Sequence, residues 1–174
     1  MEPIFHVDDL VSKIVDVAKS LSNSKKVAVL FDVDGTLVDV SSIQHLVDEG
    51  LRQFDTFHRE SVNCPPHFKV LAIAQGLLKE DIDVLAISGR QEHYRALTDY
   101  WLAMHSLPLH ELILRPNEYD GNRIQFKTEV FANLSLRYHV VAVFDNDPQL
   151  ISLWLTKDVP FVVQCPELIL LERD

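Results

Sequence analysis

Four acidic residues in two tight groups are the sequence's first chemically suggestive feature. Asp32 and Asp34 stand in Asp32-Val33-Asp34-Gly35-Thr36, and Asp145 and Asp147 in Asp145-Asn146-Asp147-Pro148. Each group directly follows an apolar run, Val27 to Phe31 or Val140 to Phe144. Carboxylates are rarely buried without partners, so acids at the end of a core segment need a cation or a task. A third apolar run ending at Ile87 leads into Ser88-Gly89-Arg90, and Lys127 lies between the second and third groups. Carboxylates with a lysine and an arginine nearby suit Mg²⁺, which binds oxygen, keeps waters of its own and works beside phosphate. Plainer readings are a turn at Asp34-Gly35, a helix cap at Asp147 and a solvated surface lysine at Lys127.

For these groups to meet, the apolar runs must be parallel strands of one sheet, whose carboxyl ends share an edge; open α/β sheets bind ligands there. The intervening segments fit. Val7 to about Leu21 places Val7, Leu10, Val11, Ile14 and Val15 at helical spacing, with Asp8 and Asp9 at its start, and Ser22 to Lys26 form a polar link to the first strand. Further helices are predicted over His67 to Leu78, Gln91 to His105, Phe126 to Leu136 with Lys127 in its first turn, and Pro148 to Lys157. Strands are predicted over Asp83 to Ile87, Glu111 to Leu114 and Phe161 to Val163, with a polar loop from Arg115 to Arg123. This alternation predicts an α/β fold with a parallel sheet flanked by helices. Trp101 and Trp154, on helix faces, read as core. The histidines, His58 among them, show no metal-ligand spacing and read as surface or helix-flank residues.

Length and composition set bounds. The 174 residues suggest one domain, 1–174, able to bury a core. Sixteen basic against 26 acidic residues give a net charge of −10, which weighs against a dedicated nucleic-acid-binding module. Cys64 and Cys165, far apart and without a CxxC, suggest neither a disulfide framework nor a zinc site and point to a reducing compartment. The acidic N-terminus lacks the character of a signal peptide, and no apolar run is long enough to cross a bilayer, so the expected location is cytoplasmic.

The order of the groups carries a resemblance. An apolar strand into Asp-x-Asp-Gly-Thr, then a strand-end serine, a lysine and a strand-end aspartate resembles the four motifs of the haloacid dehalogenase (HAD) superfamily of phosphotransferases, from Val27 to about Lys157. The resemblance implies a Rossmann-like HAD fold in which Asp32 is the nucleophile, forming an aspartyl-phosphate, and Asp34 the general acid/base. It also implies that Ser88 and Lys127 hold the transferring phosphoryl group. Mg²⁺ would sit between the Asp32 carboxylate, the backbone carbonyl of Asp34 and Asp145, with Asn146 as a further ligand or water-orienting group. Many relatives carry two adjacent acids where this chain has Asp145-Asn146. Segment 38–66 stands where the family inserts caps and is too short for a separate domain, so a small, partly helical lid or an open site is expected.

Ser88-Gly89-Arg90, then Tyr94-Arg95, Leu97-Thr98, Trp101 and Leu107-Pro108-Leu109, resemble the 3′-phosphatase domain of bacteriophage-type polynucleotide kinase. This implies a nucleotide or nucleic-acid 3′-phosphate as substrate, with Arg90, Gly89 and Thr36 at the substrate. No G-x-x-x-x-G-K-[ST] occurs, so no kinase domain is present in this chain. The alternatives are a small-metabolite phosphatase, for a mononucleotide or sugar phosphate, and a catalytically inactive binding module of the same fold.

Overall fold

The apolar runs form the centre of a six-stranded sheet. The computed structural model describes residues 6–21, 24–48 and 50–171; positions 22 and 23 of the expected polar link, and residue 49 of the expected lid, lie outside them. The strands are β1 (Lys26–Asp32), β2 (Asp83–Gln91), β3 (Glu111–Arg115), β4 (Tyr138–Asp145), β5 (Phe161–Gln164) and β6 (Ile169–Leu171), in the order β3-β2-β1-β4-β5-β6. The helices are α1 (Val7–Ser20), α2 (Phe54–Glu60), α3 (Phe68–Leu77), α4 (Arg95–Met104), α5 (Arg123–Arg137) and α6 (Pro148–Leu155).

Both faces of the sheet are covered, which is why β1 and β4 read as unbroken apolar runs. Val29 and Phe31 face a cluster with Leu10 and Ile14 of α1, Ile73 and Leu77 of α3, and Trp101 of α4. The alternate residues Ala28 and Leu30 face Phe126, Phe131 and Leu134 of α5 and Trp154 of α6. Phe31 stacks on Phe144 of β4, with centroids 4.4 Å apart. Truncating Leu30, fully buried, to Ala costs about 2–5 kcal/mol by the cavity it leaves.

The first five strands are parallel, as expected; β6 turns back antiparallel on β5. This three-residue strand has too little sequence pattern to stand out. The second strand does not stop at Ile87: it runs through Ser88-Gly89-Arg90 to Gln91, with a register shift against β3 between Ser88 and Gln91. The helix expected from Gln91 therefore starts later, as a 3-10 turn Glu92–Tyr94 leading into α4. Helix α5 starts earlier than the predicted Phe126, because Asn122 and Gln125 form a capping box, so Lys127 falls in its second turn.

Chain direction across the sheet reverses at β1, whose neighbours are β2 and β4. Crevices form at such switch points, outside the carboxyl ends of the strands. Segment 38–66 leaves the edge here and returns to it. Its base is closed by Asp39 N–H donating to Pro65 O (2.8 Å) and His67 N–H to Leu37 O (2.9 Å), and it carries short helical turns around α2. Among the described residues no helix is long and apolar enough to cross a membrane.

Candidate active site

Lys127 is the centre of the edge. It is 1% exposed, projecting from α5 beneath the carboxyl ends of β1 and β4, and its Nζ donates to Asp32 Oδ1 (2.6 Å) and Asp145 Oδ2 (3.0 Å). It is no solvated surface lysine. The Trp154 indole N–H also donates to Asp145 Oδ2 (3.0 Å), and the Asp147 amide donates to Asp145 Oδ1 (3.1 Å), so Asp145 is held on both oxygens. Burial pushes the Asp32 carboxyl up to about 7, with the Asp145 charge adding to the rise and Lys127 opposing it. Burial alone would drive Lys127 towards neutrality, but Asp32 and Asp145 outweigh it and raise its pKa. One ammonium thus serves two buried carboxylates, and the cluster is short of positive charge.

Asp34 is held from the other side. Arg90 Nε donates to Asp34 Oδ2 (2.9 Å), its Nη2 to the other oxygen, and its Nη1 to Thr98 Oγ1 (3.1 Å). Against the upward pull of burial, this planar fork keeps the Asp34 carboxyl below its usual value. The guanidinium of Arg90 thus grips Asp34. Ser88, also buried, accepts from the Arg90 amide (3.2 Å), which leaves its own hydroxyl proton free to donate. Gly89 lines the cleft beside it.

The turn between β1 and the insertion depends on Gly35, whose φ is +84°; a Cβ there would lie 2.3 Å from Asn146 Nδ2. Asn146 packs against that bare backbone and accepts from Thr36 Oγ1 (3.3 Å). Thr36 is fully buried and supports the turn and Asn146 from behind. Asp147 caps α6, accepting from the Gln149 and Leu150 amides, and pairs with Arg123.

These residues lie around a cleft of about 600 Å³ lined by Asp32, Asp34, Ser88, Gly89, Arg90, Lys127, Asp145 and Asn146. The sequence reading missed its upper wall: Phe54 and His58 of α2, Tyr94, and Arg115 at the end of β3. His58 is not a surface histidine. Burial lowers its pKa to about 4 despite the opposite pull of Asp34, so it is neutral at pH 7. Tyr94 ties the insertion to the sheet, its hydroxyl donating to Asp55 of α2 (2.8 Å).

The oxygen donors here are of the kind that hard cations take. Among the described residues no three His, Cys, Asp or Glu side chains converge as metal ligands. Asp32 and Asp145 instead share one cationic neighbour, and the Asp34 side chain is turned to Arg90. Mg²⁺ binds through one or two carboxylates and completes its shell with water and neutral oxygens, which Asn146 and the Asp34 carbonyl could supply.

Residues 26–166 match the family model of the polynucleotide kinase PNKP phosphatase domain. The chain belongs to this family. It is therefore a HAD-type phosphatase domain, and the match spans every site group described above. Solved structures share the fold: the Pnkp1/Rnl/Hen1 complex (TM-score 0.66, 22% identity, 82% of this chain and 47% of that one) and a second structure, of the Pnkp1/Rnl/Hen1 RNA repair complex (0.69, 21%, 82% and 43%). The class C acid phosphatase from Bacillus anthracis with tungstate bound is similar too (0.66, 18%, 80% and 60%). The phosphatase domain described here thus spans about half the length of the first chains it matches. A comparison with curated proteins gave no match.

Proposed function

We propose that this chain is a Mg²⁺-dependent phosphomonoesterase that passes the phosphoryl group through Asp32 to water and acts on the 3′-phosphate of a nucleotide or nucleic-acid end. The observation that carries the reading is a buried ammonium between two carboxylates on the floor of an open cleft. Such an arrangement is costly to fold, and perturbed, buried charge of this kind clusters at sites that handle charge.

An Asp32 oxygen attacks phosphorus as the ester P–O bond breaks, forming an aspartyl-phosphate; water then breaks that bond and releases phosphate. Asp34, held as a carboxylate by Arg90, is set to take the proton of the attacking water; to protonate the departing oxygen it must first gain a proton against the pull of Arg90, which it can do only as that contact loosens in the substrate complex. Lys127 and the Ser88 hydroxyl hold the phosphoryl oxygens as charge builds on them. Arg90 serves the reaction by holding the Asp34 carboxylate in place. Asp32, Asp145, the Asp34 carbonyl and Asn146 would hold Mg²⁺, which would supply charge neutralisation to the phosphoryl oxygens.

For the substrate, support comes from the polynucleotide kinase family and from the RNA repair setting of the Pnkp1 structures. Segment 38–66 acts as a small lid, and as its described residues form only short helical turns, the mouth admits a bulky ester. The net charge of −10 favours a short strand end over a long duplex track. Free, buried Cys64 and Cys165 fit a cytoplasmic setting.

Phosphate release from a 3′-phosphorylated oligonucleotide, a mononucleotide and sugar phosphates, each in Mg²⁺ and in EDTA, tests this. The oligonucleotide should be cleaved at least as efficiently as the mononucleotide, and EDTA should stop both until Mg²⁺ is restored. Turnover confined to sugar phosphates would discard the substrate; full activity in chelator would discard the metal.

A further inference from the structure

Among the described residues, two buried side-chain polar atoms have no hydrogen-bond partner in the protein: His58 Nδ1 and Arg115 Nε. A buried donor without a partner costs about 1–3 kcal/mol, so each needs an explanation. Both residues line the same cleft, above the Asp32 floor. They are near enough for the Arg115 charge to act on His58: after burial and the surrounding charges of Asp34, Arg90 and His93, it adds to the forces on that ring.

Arg115 differs from the other cations of the cleft. Lys127 is engaged by Asp32 and Asp145, Arg90 by Asp34 and Thr98, and Arg123 by Asp147 and Gln149. Arg115 ends β3, and its Cα is paired with Gln91 of β2, so it stands at the same edge as the reacting groups, two strands from Asp32. Adjacent strands are about 4.8 Å apart, and Arg115 lies two residues beyond Ile113, which is level with Asp32 through Ile87, so its backbone is roughly 12 Å from that of Asp32. With the reach of an arginine side chain, one nucleoside bridges that interval.

We propose that His58 and Arg115 form a second anion subsite, which takes the phosphate on the 5′ side of the same nucleoside whose 3′-phosphate is removed at Asp32. Arg115 supplies the charge and a forked donor, and His58 a neutral ring N–H in the Nδ1-protonated tautomer. The subsite rests on the nucleic-acid reading of the reacting centre. It deepens that reading by making the enzyme count phosphates: a nucleoside bearing both 3′- and 5′-phosphates, or a strand end, is held at two points.

The test compares a nucleoside 3′-monophosphate with its 3′,5′-bisphosphate, as substrates of the wild-type protein and as ligands by calorimetry in Mg²⁺ with Asp32→Asn, which reports binding whether or not turnover occurs. The expected preference for the bisphosphate is about tenfold or more, expressed in KM and affinity. Arg115→Gln and His58→Ala should bring the two ligands towards equality, while Arg115→Lys keeps part of the preference and guards against a misfolded Gln variant. Equal handling of both ligands by the wild type overturns the subsite. So does an equal loss on both in Arg115→Gln, which would place the guanidinium on the scissile phosphate. Bisphosphate preference in binding without any turnover would uphold the subsite and overturn the hydrolytic reading.

Discussion

Each end of the central sheet sets a lysine against an aspartate, and the two pairs are physical opposites. At the amino end, Lys26 of β1 reaches Asp83 of β2 at 3.4 Å with its side chain 73% exposed, and His110 approaches the same carboxylate at 3.5 Å. At the carboxyl end, Lys127 meets Asp32 at 2.6 Å and Asp145 at 3.0 Å, and its side chain is 2% exposed. Residue types and sheet are shared, and the aspartates are similarly shielded; water on the lysine is the difference. The first pair is screened and exchangeable, worth at most about 1 kcal/mol. The second is held under α5 in a medium where charge is costly, and there it perturbs every group it touches. A charge pair is therefore informative here in proportion to its burial.

Four changes test that contrast. Asp32→Asn should lower kcat by about a thousandfold or more, since an amide is a poor nucleophile, while the protein still folds; phosphate release within tenfold of wild type would remove Asp32 from the chemistry. Lys127→Met should cost about 3–5 kcal/mol in urea denaturation by leaving two buried carboxylates without their cation, with Mg²⁺ recovering part. A loss below about 1 kcal/mol would make the two ends equivalent after all.

The third change is in pH. Burial raises the Asp32 carboxyl from 3.8 to about 7 in the fold, so between those values the native state holds the extra proton. Its contribution to stability is complete below the unfolded value and declines as pH rises through about 7. In EDTA, the melting temperature of Asp32→Asn minus that of wild type should therefore increase from pH 4 to pH 7; a flat difference would show that Lys127 fully compensates the burial. The smallest effect is expected from Lys26→Ala, within about 0.5 kcal/mol of wild type.

Much of this was legible in the sequence, for identifiable reasons. Val27 to Phe31 and Val140 to Phe144 announced central strands because both faces of the sheet are buried, and the acids behind them announced the edge. Lys127 was legible by its place in the motif order, although its helix starts a turn early; the Asn122-x-x-Gln125 signal for that start is present in the sequence. The grip of Arg90 on Asp34 was not legible, because it depends on strand β2 continuing through Ser88-Gly89-Arg90 and delivering the guanidinium to that carboxylate. His58 and Arg115 carried no local signal. They lie 57 positions apart, and only the closed base of segment 38–66 and the carboxyl edge of β3 bring them to one wall.

Trp154 gives the site a gauge of its own. Its indole N–H points at Asp145 Oδ2 from full burial, while Trp101, also buried, donates to the Cys64 carbonyl on the other face of the sheet. Any cation drawn to Asp145 alters the field along one indole and leaves the other as an internal reference. The intrinsic fluorescence of the unlabelled protein should then shift on titration with Mg²⁺, and replacing Trp154 by Phe should silence the response while Trp101→Phe leaves it intact.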